Sequence, residues 1–170
     1  VAGDDHGCVS SSMPHQSDLA MQAWSMPVLH PANVAEYLEF GLYGWALSRF
    51  SGNWVGFKAI SEVVESGMTV DLDAVPLDFT QAVDHVPPVD LHIREVDLPS
   101  LDLEVRLAHK LDAVRAFARV NSVDKHIVVS PRATLGIVTV GKAHFDFMEV
   151  LRRLDLDPNA LAAAGVRVYK

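Results

Sequence analysis

The chain has 170 residues, 49% of them apolar and 21% charged, with 22 acidic against 14 basic residues and a formal net charge of −8. The apolar content excludes intrinsic disorder, and the acidic balance argues against a general nucleic-acid binder, which needs a basic surface to displace phosphate counterions. The single cysteine, Cys8, excludes a disulfide framework and a cysteine-ligated cluster within the chain. No apolar run approaches the roughly 20 residues of a membrane-spanning helix. We expect a soluble, cytoplasmic protein.

A long helix is the clearest element of the first half. Asn33 and Glu36 have the spacing of a capping box, which predicts the start of the helix. Gly52 favours the left-handed backbone conformation that ends a helix. Between them the apolar positions that fall on one helical face are Val34, Leu38, Gly41, Leu42 and Trp45.

Shorter elements flank this helix. Residues 4–18 are polar and predict a loop, residues 17–24 one or two helical turns, and residues 26–29 a short strand. Residues 53–58 predict the strand that follows the helix. Alternation of helix and strand is typical of an α/β domain.

The middle of the chain is interrupted by prolines. Residues 68–100 contain Pro76, Pro87, Pro88 and Pro99, and we interpret them as an extended connector that crosses the surface. Residues 101–121 predict a second helix that ends at Asn121. Its apolar stripe comprises Leu103, Leu107, Leu111, Val114 and Ala118.

The last part predicts one βαβ unit. Residues 135–140 form a continuous apolar, β-branched run, which is typical of a strand buried on both faces. A helix over 142–154 follows, with Phe147, Val150, Leu151 and Leu154 directed inward, then a short helix over 158–164 and a strand that begins at Val166.

The strand predicted to begin at Val166 is cut short by the end of the sequence at Lys170. Its ladder groups would lack partners, so we expect the chain to be an excised piece of a larger protein. The alternative is a short native domain whose last strand lies at an edge.

Gly136 to Lys142 matches the phosphate-loop pattern Gly-x-x-x-x-Gly-Lys, but we reject the match. The intervening residues suit a strand, whereas a phosphate loop turns its amides inward. Ala143 also stands where a magnesium-binding hydroxyl is required.

Two other patterns in the polar loop are weak. His6, Cys8 and His15, with Asp4 and Asp5, are metal-ligand types without a compact spacing, so a backbone-bonded loop is the simpler interpretation. Ser10, Ser11 and Ser12 with His15 lack the glycines of a nucleophile elbow.

We expect the three tryptophans and two of the histidines to have structural rather than catalytic roles. We interpret Trp24, Trp45 and Trp54 as core residues rather than as a stacking platform. His109 and His144 lie on predicted helices and are interpreted as surface or boundary residues.

Several segments together resemble indolepyruvate ferredoxin oxidoreductases, which belong to the thiamine-diphosphate-dependent 2-oxoacid:ferredoxin oxidoreductases. The resemblance covers nearly the whole chain and is most specific over residues 3–58. The segments that carry it are Gly3-Asp4-Asp5-His6-Gly7, Ser10-Ser11-Ser12, His15-Gln16-Ser17-Asp18, Met26 to Ala32, Glu36-Tyr37-Leu38, Phe40 to Gly44, Ser48-Arg49, Trp54 to Lys58, Ala116 to Arg119 and Leu135 to Lys142.

The resemblance implies an α/β fold in three parts. Residues 1–70 would be the C-terminal end of a pyrimidine-binding domain, residues 71–130 a connector with a long helix, and residues 131–170 the start of a transketolase-C-like domain. The parent enzyme would oxidatively decarboxylate an indolepyruvate-like 2-oxo acid, passing electrons through iron–sulfur clusters to ferredoxin and the acyl group to coenzyme A. It would be oligomeric and contain thiamine diphosphate and magnesium.

The same resemblance places the loop over 3–18 beside the cofactor. Its residues adjacent to substrate or cofactor would be His6, Ser11, Ser12, His15 and Gln16. His15 stands where relatives present an arginine to the substrate carboxylate, so a permanent bidentate contact is missing. Ser11, Ser12 and Gln16 remain neutral hydrogen-bond donors for the charge that develops on the substrate.

Other family features do not occur in this chain. The pyrimidine-activating glutamate would lie upstream of Val1, and the Gly-Asp-Gly diphosphate motif and the cluster cysteines are missing. We therefore assign no catalytic residue to the chain, and we expect that alone it neither binds thiamine diphosphate tightly nor turns over. Two alternatives stay open: a non-catalytic α/β interaction or assembly module, and a small metal-dependent hydrolase that uses Asp5, His6 and His15.

Overall fold

Six elements form the first part of the chain and meet in a small parallel sheet. The computed structural model describes residues 1–97 and 99–170; Leu98, in the predicted connector, lies outside the described residues. The elements are β1 (Ala2–Asp4), α1 (Asp18–Ala23), β2 (Val28–Leu29), α2 (Val34–Ser51), β3 (Gly56–Ile60) and α3 (Ser61–Val64). β3 lies between β1 and β2 and runs parallel to both, with Gly3 opposite Ala59 and Leu29 opposite Phe57.

A second sheet is mixed and belongs to the last part of the chain. The elements here are α4 (Asp102–Val120), β4 (His126–Val128), β5 (Leu135–Val138), α5 (Ala143–Arg153), α6 (Pro158–Ala163) and β6 (Val166–Tyr169). β6 occupies the centre, antiparallel to β4 and parallel to β5, so it is paired on both sides. The expectation that its ladder groups lack partners was therefore wrong, and so was its placement at an edge in the short-domain alternative. The β5–α5–β6 succession confirms the predicted βαβ unit, and the fold is α/β, as expected.

Local hydrogen bonds fix the ends of α2 as the sequence predicts. The Asn33 side chain accepts a hydrogen bond from the Glu36 backbone N–H at 2.9 Å, and the Glu36 carboxylate accepts one from the Ala32 N–H at 2.8 Å. Gly52 adopts φ +66° and ends the helix. The entry and exit of this helix are therefore encoded by adjacent residues.

The buried face of α2 differs from the predicted one. Its buried residues are Phe40, Tyr43, Gly44, Leu47 and Ser51, whereas Leu38 and Leu42 are about two-fifths exposed. The helix carries apolar residues on both faces, so periodicity alone did not single out the inward face.

A first core forms where α2 packs against α4. Leu29, Phe40, Tyr43 and Leu47 of the first part enclose Phe117, which is fully buried. The rings of Tyr43 and Phe117 meet edge to face at a centroid distance of 5.4 Å. The long helix of the predicted connector thus completes the core of the first part; the division at residues 70 and 130 stays a prediction.

The three tryptophans are not core residues, so their interpretation as such was wrong. Trp24 is 66% exposed, Trp45 69% and Trp54 80%. Trp24 follows the last residue of α1, Trp45 lies on α2, and Trp54 precedes β3; none of the three is enclosed by the packing of the described elements.

β5 is an exposed edge strand rather than a strand buried on both faces. It pairs only with β6 in the described part, and Leu135 and Val138 are 53% and 77% exposed. Within α5, Leu151 is buried as expected, but Val150 and Leu154 are exposed, which corrects their predicted inward orientation. A strand with a continuous apolar sequence is buried on both faces only when other elements pack against both of its faces.

His144 is another correction, because it is buried rather than at the surface. Its Nδ1 lies 2.9 Å from the Thr139 hydroxyl oxygen. Burial lowers the pKa of His144, and the Lys170 ammonium lowers it further.

The proline-rich segment is irregular, as predicted, with single 3₁₀ turns at Leu72–Ala74 and Glu95–Asp97. A buried ion pair attaches it to α4: an Asp97 carboxylate oxygen lies 2.5 Å from Arg106, and both side chains are 1–3% exposed. Arg106 also donates a hydrogen bond to the His92 carbonyl at 2.7 Å.

Throughout residues 1–97 and 99–170, no helix has the length and apolar character needed to cross a membrane.

Candidate functional site

A polar crevice of about 460 Å³ lies at the carboxyl ends of the three parallel strands. In α/β proteins this edge is where ligands bind, because the loops after the strands converge there. β1 leads to His6, β2 to His30 and β3 to Glu62, while α5 closes the opposite side. The charged and polar lining side chains are His6, Gln16, Asp18, His30, Lys58, Glu62, Lys142 and Asp146.

The carboxylate of Asp5 organises the loop that borders the crevice. It accepts hydrogen bonds from the backbone N–H groups of Val9, Ser10 and Ser11 at 2.7, 2.8 and 2.6 Å. Burial raises the pKa of Asp5, but these three backbone donors outweigh it and hold the pKa well below its usual range. The loop is therefore folded around one ionised side chain.

Asp4 fixes the other end of the loop. It accepts hydrogen bonds from the Ser17 backbone N–H at 2.9 Å and from the Ser17 hydroxyl at 2.7 Å. Burial raises the pKa of Asp4, but the Ser17 donors and the nearby Lys58 ammonium lower it below its ordinary value overall. These hydrogen bonds hold the start of α1 against the end of β1.

Lys58 places a buried cation in the wall of the crevice. Its Nζ lies 2.5 Å from an Asp18 carboxylate oxygen and 3.5 Å from an Asp4 carboxylate oxygen, and its side chain is 6% exposed. A buried ammonium requires such partners, because the cost of removing it from water is otherwise uncompensated. The lysine thereby joins β3 to β1 and to the start of α1.

His30 directly follows β2 and lines the crevice. Its Nε2 atom is buried and has no hydrogen-bond partner among the described residues. Burial lowers the pKa of His30, and the Lys58 ammonium lowers it further. Gly141, which adopts φ +56°, packs directly against this imidazole.

Two further groups complete the polar lining. Lys142 donates hydrogen bonds to both carboxylate oxygens of Asp146, at 2.6 and 2.8 Å. The Glu62 Oε2 atom is buried and without a hydrogen-bond partner in the part of the chain that the structure describes. The crevice is thus lined by two lysine–aspartate pairs, and by Glu62 and His30, each of which has one buried polar atom without a partner among the described residues.

The structure brings two of the five predicted loop residues to the crevice. His6 and Gln16 line it. Ser11 is half-buried and its backbone N–H donates a hydrogen bond to the Asp5 carboxylate, whereas Ser12 is exposed. Neither serine is part of the lining. His15 is exposed, and its Nε2 donates a hydrogen bond to the Gly3 carbonyl at 2.9 Å. The hydrogen bonds to the Gly3 and Met13 carbonyls raise the pKa of His15.

The alternative of a metal-dependent hydrolase requires a set of side chains that can hold a metal ion. Within residues 1–97 and 99–170, no group of three or more His, Cys, Asp or Glu side chains is arranged to hold a metal ion. Asp5 uses both carboxylate oxygens on backbone donors, and His15 is engaged by carbonyls, so neither is free to join His6.

Sequence reasoning missed Asp18, His30, Lys58, Glu62, Lys142 and Asp146 as site residues. Three of these could have been found by a simple rule, because they lie near the carboxyl ends of parallel strands: His30 directly follows β2, Lys58 is near the end of β3, and Glu62 follows β3 after Ser61. Lys142 and Asp146 reach the crevice only because α5 lies across it, which no local pattern indicates.

No match to the chain is found among protein-family models, curated proteins or solved structures.

Proposed function

We propose that the chain forms part of a thiamine-diphosphate-dependent 2-oxoacid:ferredoxin oxidoreductase of the indolepyruvate type, and that the crevice belongs to its substrate site. The parent enzyme converts a 2-oxo acid and coenzyme A to carbon dioxide and an acyl-coenzyme A, and two electrons pass through iron–sulfur clusters to ferredoxin. The resemblance over residues 3–58 supports this proposal. So does an α/β fold whose predicted loop borders a crevice at the carboxyl ends of parallel strands.

One observation carries the proposal: His6 and Gln16 of that loop share a crevice with the buried Lys58. A 2-oxo acid presents a carboxylate and a polarised carbonyl, and both accept hydrogen bonds. Because Lys58 and Lys142 are each paired with an aspartate, we assign the direct contacts with substrate to the side-chain donors of Gln16 and His6. Donors placed where negative charge develops lower the barrier to addition at the carbonyl.

The metal and cluster components of such an enzyme do not fit this chain. No three-ligand group exists among residues 1–97 and 99–170 to hold magnesium, and Cys8 is the only cysteine in the sequence. We therefore assign the magnesium, the thiamine diphosphate that it anchors, and the iron–sulfur clusters to other parts of the parent enzyme. The present residues contribute substrate contacts and the scaffold that carries them.

The test is the reaction of the full-length enzyme that contains these residues. The enzyme would be purified anaerobically with its clusters loaded and supplied with thiamine diphosphate, magnesium and coenzyme A. Indolepyruvate, phenylpyruvate and pyruvate would then be compared as substrates for reduction of ferredoxin or methyl viologen. We expect reduction that depends on both the 2-oxo acid and thiamine diphosphate. A folded, cluster-loaded enzyme that reduces neither acceptor with any of the three acids would refute the proposal.

A second candidate function is a non-catalytic assembly module, and one observation favours it. β5 is an edge strand in the described part of the chain, with the exposed apolar residues Leu135 and Val138. Such an edge can pair with a strand of another chain. Under this alternative, Val138→Lys would lower the sedimentation coefficient of the protein; an unchanged value would remove the alternative.

A further inference from the structure

A second cavity, of about 630 Å³, lies between α2 and the parallel sheet, away from the crevice. Trp54 and Val55, which precede β3, form part of its wall, so it opens near the amino-terminal end of that strand. Four aromatic side chains line it: Tyr37, Trp45, Trp54 and Phe57. Its volume is in the range of small-molecule pockets, and these aromatic side chains form part of a mainly apolar wall.

Two glycines of α2 line the cavity. A Cβ atom at Gly44 would lie 3.0 Å from Leu29 Cδ1, so this glycine lets the helix approach the sheet closely. A Cβ atom at Gly41, one turn earlier, would meet nothing within 4 Å, although Gly41 also lines the cavity. The cavity is therefore open at Gly41 because that position has no side chain.

Two polar groups in the wall have no partner in the part of the chain that the structure describes. The Tyr37 hydroxyl is buried and makes no hydrogen bond. Burial raises the pKa of Tyr37. Arg49 makes no ion pair among the described residues, and its guanidinium carbon lies 5.5 Å from the centroid of the Trp45 ring.

We propose that this cavity binds a planar aromatic ligand that carries an acidic group. The ring lies against Trp45 and Trp54, where flat π-surfaces stack favourably. The acidic group pairs with the Arg49 guanidinium, whose planar fork matches a carboxylate. The inference concerns a site separate from the crevice and does not depend on the proposed function.

Calorimetric titration of the chain with 2-naphthoate and 2-naphthamide tests this directly. The two probes have the same ring system and differ in whether the substituent is ionised. We expect 2-naphthoate to bind at least tenfold more tightly than 2-naphthamide. Equal affinities, or no binding of either probe at millimolar concentration, would overturn the proposal.

Two variants localise the site. Gly41→Leu fills the cavity from a position with free space, so the fold is retained and both probes should lose binding; circular dichroism checks the fold. Arg49→Gln should reduce the preference for the carboxylate to less than twofold. The matched control is Arg119→Gln, at an exposed position in the last turn of α4, which should bind as the unmodified protein does. Unchanged binding in a folded Gly41→Leu protein would place the probes elsewhere and contradict the assignment.

Discussion

Gly141 packs against the imidazole of His30 and thereby joins the two halves of the molecule. A Cβ atom at Gly141 would collide with Nε2, Cε1 and Cδ2 of that ring, and the residue adopts φ +56°, a conformation that side chains disfavour. The contact brings the turn before α5 onto the end of β2. It is one of the features that close the polar crevice.

Gly141→Ala should destabilise the protein by about 1–3 kcal/mol, because the new methyl group meets both the backbone strain and the His30 ring. Urea unfolding measures the change. Gly136→Ala is the matched control, since a Cβ atom there meets nothing within 4 Å and its φ is not positive. The control should be unchanged or slightly more stable. Equal stabilities for the two variants would show that the contact with His30 contributes nothing.

Lys58→Met should cost about 3–5 kcal/mol of unfolding free energy, because it leaves the buried Asp4 carboxylate without its cationic partner. The double variant Asp4→Asn/Lys58→Met should show a coupling between the two positions, since the second change removes the uncompensated charge. Lys125→Met, at an exposed lysine, serves as the control and should lie within about 0.5 kcal/mol of the unmodified protein. A loss below about 1 kcal/mol in Lys58→Met would contradict the role of the buried pair.

The Asp97–Arg106 pair should make stability depend on acid pH. The hydrogen bond from Arg106 lowers the pKa of Asp97 and outweighs burial, while the Arg94 backbone N–H lowers it further. Because the folded pKa lies below the unfolded value of about 3.9, the contribution is complete above that value and is lost as the pH falls below it.

Asp97→Asn should therefore be less stable than the unmodified protein at pH 6 but lose less stability between pH 6 and pH 3. The urea midpoint at the two pH values measures both effects. Asp112→Asn, at an exposed aspartate of α4, should keep the acid dependence of the unmodified protein. The same loss of stability in Asp97→Asn and in the unmodified protein would show that another carboxylate controls the acid response.

Local chemistry explains which elements could be predicted. Asn33 and Gly52 fix α2 through hydrogen bonds and a backbone conformation within a few residues, so the sequence pattern suffices. The helix–strand alternation likewise gave the α/β class and the β5–α5–β6 unit. These features need no knowledge of distant neighbours.

Burial and long-range contacts were harder to predict. Trp45 and Val138 are apolar residues on predicted elements, yet both are largely exposed, because the packing of the described elements does not enclose them. The prediction of site residues had the same limit. His6 and Gln16 were predicted from the resemblance of their loop to a known family. Lys58 was not predicted, because its role in the site depends on an ion pair with Asp18, which is distant in sequence. A single sequence indicates which residues can be buried, and the packing of the elements decides which are.

The kinetics of Gln16→Leu in the cluster-loaded, full-length enzyme test the central claim most directly. Gln16 lines the crevice, whereas Gln81 is exposed and outside it, so Gln81→Leu is the matched control. Removing one donor to the developing charge should lower kcat/KM for the 2-oxo acid about 10²-fold, with the electron transfer from the clusters to ferredoxin unchanged. A kcat/KM for Gln16→Leu equal to that of Gln81→Leu would contradict the assignment of the crevice to the substrate.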